Sequence, residues 1–263
     1  MKHLRTYEVD DLRYIGKKYC KEVMICRRIR HENVLNIEGV ALELFDFCMV
    51  SKWMGNGNML QLSWPALWWC VNLFSSPSDA QLLGIMRGLH HLHLYEVIHG
   101  DLESPNIFID DRGNPLLADF GLSSITKNPS SVNASTPHSG GTICWSTPEL
   151  LDAFSGKSKG QTPTIKSDVY ALSMVIIELY TGNIPFPDRQ DLSVILMVAR
   201  GKRPPKLVSA KALGLTPAVW ELAKRCWHKK PAKRPDTLEI LAHLEGISST
   251  CFGRESTDAH RNE

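Results

Sequence analysis

From Asp168 to Tyr180 the chain reads Asp-Val-Tyr-Ala-Leu-Ser-Met-Val-Ile-Ile-Glu-Leu-Tyr, apolar on nearly every face of a helix, and the run stops at Gly182. A helix of that pattern is buried on all sides, so other elements must surround it. With 263 residues, 43% of them apolar, the chain can build a full core in one globular unit or two lobes. Leu82, Ile85, Met86, Leu89 and Leu92 form a second helical stripe. Ahead of it, Ser78-Asp79-Ala80-Gln81 matches a capping box with Ser78 as N-cap. Residues 10–30 predict another helix, with Ile15, Tyr19, Cys26 and Ile29 on one face and His31-Glu32-Asn33 closing it. Glu22 falls in that stripe, where a carboxylate needs a cationic partner or takes up a proton. Segments 190–200, 216–228 and 236–244 predict further helices, and Val34–Leu42 and Phe45–Ser51 predict strands. From about Gly246 the chain is polar without periodicity, which predicts a disordered tail.

The chemistry lies in another stretch. His99-Gly100-Asp101-Leu102-Glu103-Ser104-Pro105-Asn106 is followed, thirteen residues after Asn106, by Asp119-Phe120-Gly121. Between them, Ile107 to Leu117 reads as two short strands around a turn, which brings Asn106 and Asp119 to the same side. Three oxygen-bearing side chains then converge. Such a set suits Mg²⁺-nucleotide: hard oxygen ligands for the metal and one carboxylate left to accept a proton.

Other functions are disfavoured. A net charge of +2 without a Lys/Arg block gives no basic field for nucleic acid. Seven cysteines without CxxC spacing read as free thiols in a reducing compartment. His90, His91 and His93 have no carboxylate or cysteine partners at metal spacing and read as ordinary side chains near a helix end. The first residues lack the apolar core of a signal peptide. The longest apolar run, Leu62 to Phe74, is too short to span a bilayer and contains Pro65. The expectation is a soluble, cytoplasmic protein without membrane association.

Further motifs stand in order behind the Asp101 loop: Thr147-Pro148-Glu149, Ser167-Asp168-Val169-Tyr170-Ala171-Leu172-Ser173, and Lys233-Arg234-Pro235. From Lys2 to about Leu244 the set resembles the eukaryotic protein kinase family, in its tyrosine-kinase-like Ser/Thr branch. The resemblance implies an α+β, bilobal fold with a truncated small β lobe and a mainly helical large lobe. It implies a kinase domain over residues 1–246, divided into a partial small lobe at 1–53 and a large lobe at 54–246, with a disordered tail at 247–263. It also implies ATP-dependent phosphorylation of protein Ser/Thr hydroxyls in signal transduction, with ATP and Mg²⁺ as cofactors and with protein substrates and signalling partners. Asp101 takes the role of base, and Asn106 and Asp119 hold Mg²⁺. Lys2, paired with Glu22, positions the α/β-phosphates. The backbone of Lys52 and Met54 binds adenine, and Ser51 guards the pocket behind it. Thr142 resembles the loop threonine that bonds the catalytic Asp, and Glu149 and Arg234 form a buried ion pair.

The sequence also departs from that pattern. No Gly-x-Gly-x-x-Gly stretch precedes Lys2, which predicts that the chain is a fragment of a kinase. Glu103 replaces the lysine that contacts the transferring group, putting negative charge where negative charge develops. Gly100 replaces the arginine of His-Arg-Asp, so the Ser/Thr-rich 122–141 segment reads as a solvated loop rather than a phosphoswitch. Trp64, Trp68 and Trp69 crowd an abnormal 62–76 segment. These departures carry an alternative, a pseudokinase acting as a protein-binding or scaffold module.

Overall fold

The computed structural model describes residues 2–3, 19–20, 23–41, 48–61, 77–120, 142–152, 162–205 and 214–258. At its centre is the Ile165–Thr181 helix, every residue of which from Ser167 onward is buried. It begins three residues before Asp168 because Thr164 and Ser167 form a reciprocal capping box. It ends where Gly182 turns left-handed at φ 68°, a conformation glycine adopts without a Cβ penalty. The Pro217–Cys226 helix, the Pro77–Leu94 helix and the Thr142–Trp145 3₁₀ turn pack on it. The Asp191–Ala199 helix and the short Pro148–Leu151 helix lie against each other nearby.

Leu82, Ile85, Met86, Leu89 and Leu92 are fully buried, as their spacing requires. The capping box expected at Ser78 does not form. Helix Pro77–Leu94 starts one residue earlier, with proline first, a position that needs no amide donor. Ser78 and Gln81 instead serve tertiary contacts: the Ser78 hydroxyl donates to Leu179 O at 3.4 Å and the Gln81 amide donates to Gly113 O.

Residues 19–20 and 23–28 are helical, with Tyr19, Cys26 and Ile29 buried. This helix stops short of residue 30. There His31 Nδ1 accepts from Asn33 N and turns the chain. Three strands follow the order β1-β3-β2, with β1 Lys2–His3, β2 Ile37–Ala41 and β3 Cys48–Ser51. Both pairings are antiparallel, with a register shift between Ile37 and Gly39, and the strand predicted from Val34 to Leu42 spans Ile37–Ala41. A separate hairpin pairs β4 Ile107–Ile109 with β5 Pro115–Leu117.

The hairpin is fastened to the sheet's approach. Leu35 N donates to Leu117 O at 2.8 Å and Leu117 N donates to Asn33 O at 3.0 Å. Gly84 and Gly88 let the Pro77–Leu94 helix press against this seam, where an added Cβ would meet Pro115 at 2.6 Å and Asn33 O at 2.5 Å. At the other end, the last helix runs from Thr237 to Asp258. The disordered tail expected from residue 247 is therefore helical through Asp258, because extending an established helix costs little per residue. No helix among the described residues is long and apolar enough to cross a membrane.

Candidate functional site

The hairpin does what its sequence predicts. Its tight turn is organised by Asp110, whose Oδ1 accepts from Arg112 N and Asn114 N at 2.8 and 2.7 Å, and Gly113 supplies a φ of 86°. Ala118 N donates to Asn106 O at 2.9 Å, so Asn106 and Asp119 leave the two strands side by side. Asp119 has a φ of 58°. A non-glycine residue held there is strained and persists only where its surroundings impose it.

Asp101 and Asn106 meet directly. Asn106 Nδ2 donates to Asp101 O at 2.8 Å and to Asp101 Oδ2 at 3.0 Å. The 3₁₀ turn Ser104–Asn106 sets this geometry, with Asn106 N donating to Glu103 O. Because the amide nitrogen is used up on Asp101, Asn106 Oδ1 is the atom left for a cation. Asp119 adds a carboxylate of the hard-oxygen type that Mg²⁺ takes, and Mg²⁺ needs only one or two such ligands beside nucleotide phosphates. The donor set fits. Among the described residues there is no cluster of three or more His, Cys, Asp or Glu side chains arranged for a metal.

His99 ties the parts together. It is fully buried, and its ring stands 6.4 Å from that of Phe120. Burial lowers its pKa, while the negative charges of Asp168, Asp101 and Asp119 around it pull the other way. Beneath it, Asp168 accepts from His99 N, Gly100 N and His93 Nε2, each at 2.8 Å. Gly100 has a φ of 78°, which explains why a glycine suits this position. Sequence reasoning used Asp168 only as a landmark and missed its role. The signal was available: an acid in the first turn of a helix buried on all sides must accept buried donors.

The other candidates are placed less fully. Lys2 lies on β1 opposite Met49. Glu22 lies outside the described residues, and the expected Lys2–Glu22 pair with it. Lys52 follows β3, and its ammonium contacts Asp111 at 2.9 Å on the hairpin turn. That contact raises the Lys52 pKa. Met54 is buried, and its carbonyl accepts from Gly57 N at 3.1 Å. A cavity of about 60 Å³ lies behind, lined by Ser51, Cys26, Met49, Asp119 and Phe120 among others. The Thr142 side chain, Gly121, the 122–141 segment and the Trp-rich run 62–76 lie outside the described residues. Five described cysteines are free thiols.

Glu149 and Arg234 form the buried pair expected, with contacts of 2.6 and 2.8 Å in a bidentate fork. Arg234 is 2% exposed and also donates to His228 O and Lys166 O. Breaking such a pair leaves a charge without a partner in the interior.

Comparison with known proteins agrees with this geometry. The protein kinase domain family model matches residues 1–244. The chain is 29% identical over 249 residues to the serine/threonine/tyrosine-protein kinase HT1 of Arabidopsis thaliana, covering 93% of this chain and 58% of that protein. It is 28% identical to the probable serine/threonine-protein kinase drkA of Dictyostelium discoideum, covering 90% of this chain and 34% of the relative. It is 26% identical to mitogen-activated protein kinase kinase kinase 13-A of Xenopus laevis, covering 86% and 22%. The chain thus spans less than two thirds of the length of each of these relatives. With the hairpin, the Asp101–Asn106 pair and a match over nearly the whole chain in hand, the chain belongs to the protein kinase domain family.

Proposed function

We propose that this chain transfers the γ-phosphoryl group of ATP to Ser/Thr hydroxyls of protein substrates, as a cytoplasmic signalling enzyme with its kinase domain over residues 1–246. The observation that carries the reading is the double hydrogen bond from Asn106 Nδ2 to Asp101, beside the strained Asp119. In this reading Asp101 orients the substrate hydroxyl and takes its proton. Asn106 and Asp119 hold Mg²⁺, which when bound neutralises charge on the nucleotide phosphates. Lys2, held by Glu22, contacts the α/β-phosphates, and the backbone of Lys52 and Met54 receives adenine. The test is phosphoryl transfer to a Ser/Thr peptide. Asp101→Asn should lower kcat by about 10²-fold or more with nucleotide binding nearly intact, whereas Asp119→Asn should weaken Mg²⁺-nucleotide binding itself. Equal damage to binding by both variants would sink the assignment.

Glu103 supports a second reading, a pseudokinase that serves as a binding module. Its carboxylate follows the catalytic Asp by two residues, where a cation would stabilise the transferring group. A chain that binds partner proteins and shows no transfer, even as Glu103→Lys, would fit this second reading.

A further inference from the structure

Glu178 is an acid within the central Ile165–Thr181 helix, 4% exposed among residues that are buried from Ser167 onward. Such a group is retained only with hydrogen-bond partners. It has two. The Ser104 hydroxyl donates to Oε1 at 2.6 Å, and the Trp145 indole N–H donates to Oε2 at 2.7 Å. The partners come from separate pieces of chain. Ser104 opens the turn that delivers Asn106. Trp145 ends the turn leading to Thr147, whose side chain caps the helix bearing Glu149. Among the described residues no backbone hydrogen bond joins these two turns.

We propose that Glu178 is a positioning residue for phosphoryl transfer, its single carboxyl fixing the Ser104–Asn106 turn against the Trp145 segment. The proposal rests on the kinase reading above. An apolar residue at 178 would strand two buried donors, Ser104 being 1% exposed and Trp145 5%. A glutamine would keep both bonds, its carbonyl accepting from Trp145 and its amide donating to Ser104 Oγ. The titratable groups facing Glu178 are Glu103 from the turn and Cys144 from the opposite segment. Burial pushes the Glu178 carboxyl up to about 8, against the pull of its two hydrogen bonds and with help from the Glu103 charge. The protonated form it therefore holds near neutral pH is the one an amide imitates.

The experiment measures amide hydrogen exchange over 103–107 and 143–147 in the full chain, beside phosphoryl-transfer kinetics. Glu178→Ala should speed exchange in both segments by about tenfold or more, and Glu178→Gln should recover most of that protection in both. In transfer, kcat of the Ala variant should fall by about tenfold with little change in KM for Mg²⁺-ATP. The wild-type kcat should decline as pH rises through about 8, and the Gln variant should lack that decline. Exchange raised in one segment alone, or a Gln variant as loose as Ala, overturns the proposal. If Glu178→Ala does not fold, Trp145→Phe decides: faster exchange at 103–107 supports the bridge and unchanged exchange there overturns it. A wild-type chain without transfer removes the kinase reading, and the exchange data alone then decide whether Glu178 joins the two turns.

Discussion

Asp168 takes in three donors, two of them from the buried His93 and His99, and its loss should be felt through all of them. Asp168→Ala leaves His99 N, Gly100 N and His93 Nε2 without their acceptor. At about 1–3 kcal/mol for each buried group left unsatisfied, destabilisation of about 3 kcal/mol or more should appear in urea unfolding. A loss below about 1 kcal/mol would mean that the His99–Gly100 backbone finds other acceptors. The charge at Glu103 bears on rate. Glu103→Lys should raise the initial rate on a Ser/Thr peptide by about tenfold, since a cation near developing negative charge lowers the barrier in a water-excluded site. An unchanged or lower rate would show that residue 103 does not face the transferring group. At this scale the sequence is legible where chemistry and spacing are local. Asp101, Asn106 and Asp119 lie within nineteen residues, with one hairpin between the last two. Asp168 and Glu178 act across 33 to 75 residues of sequence on partners that only the packed structure brings near.

Among the elements, helices with a strong apolar stripe were legible and their ends were not. The Leu82–Leu92 stripe is buried in full, yet Ser78 and Gln81 spend their side chains on neighbours rather than on the cap. The helix at residues 23–28 ends early because His31 captures Asn33 N, a side-chain bond with no periodic signature. Gly84 and Gly88 were likewise silent in the sequence, since a glycine required by close packing looks like one that is merely tolerated. Gly88→Ala makes this measurable. Alanine gains about 1 kcal/mol of helix propensity, but its Cβ would sit 2.5 Å from the Asn33 carbonyl oxygen. Overpacking of that kind costs about 1–3 kcal/mol or more. The backbone atom cannot swing aside, so Gly88→Ala should lower the thermal midpoint despite the better helix former. A rise in the midpoint would show that the seam yields.

For the whole molecule, the buried Glu178 sets a pH dependence whose sign follows from its direction. Its folded pKa of about 8 lies above the ordinary carboxylate value of 4.5. Between those values the folded state holds a proton that the unfolded state has released, so stability falls as pH rises from about 4.5 to about 8. Below that window both states are protonated and the contribution is flat. Thermal unfolding between pH 5 and 8.5 should therefore show wild type losing stability with rising pH more steeply than Glu178→Gln. Parallel curves would mean that the carboxyl is solvated on opening or ionised throughout. The fold at this scale was legible from a helix that had to be enclosed, because burial on every side leaves few architectures. How the sheet joins the helical part was not, because that junction is made by backbone hydrogen bonds, among them Leu35 N to Leu117 O and Leu117 N to Asn33 O. Such a junction is a pivot pin. When the three-stranded sheet tilts against the hairpin, atoms travel in proportion to their distance from the pin. Asp119 follows Leu117 by two residues and stays nearly still, while β1 lies two strand spacings beyond β2, about 10 Å farther out. A tilt of the sheet would thus move Lys2 most and the carboxylate at Asp119 least.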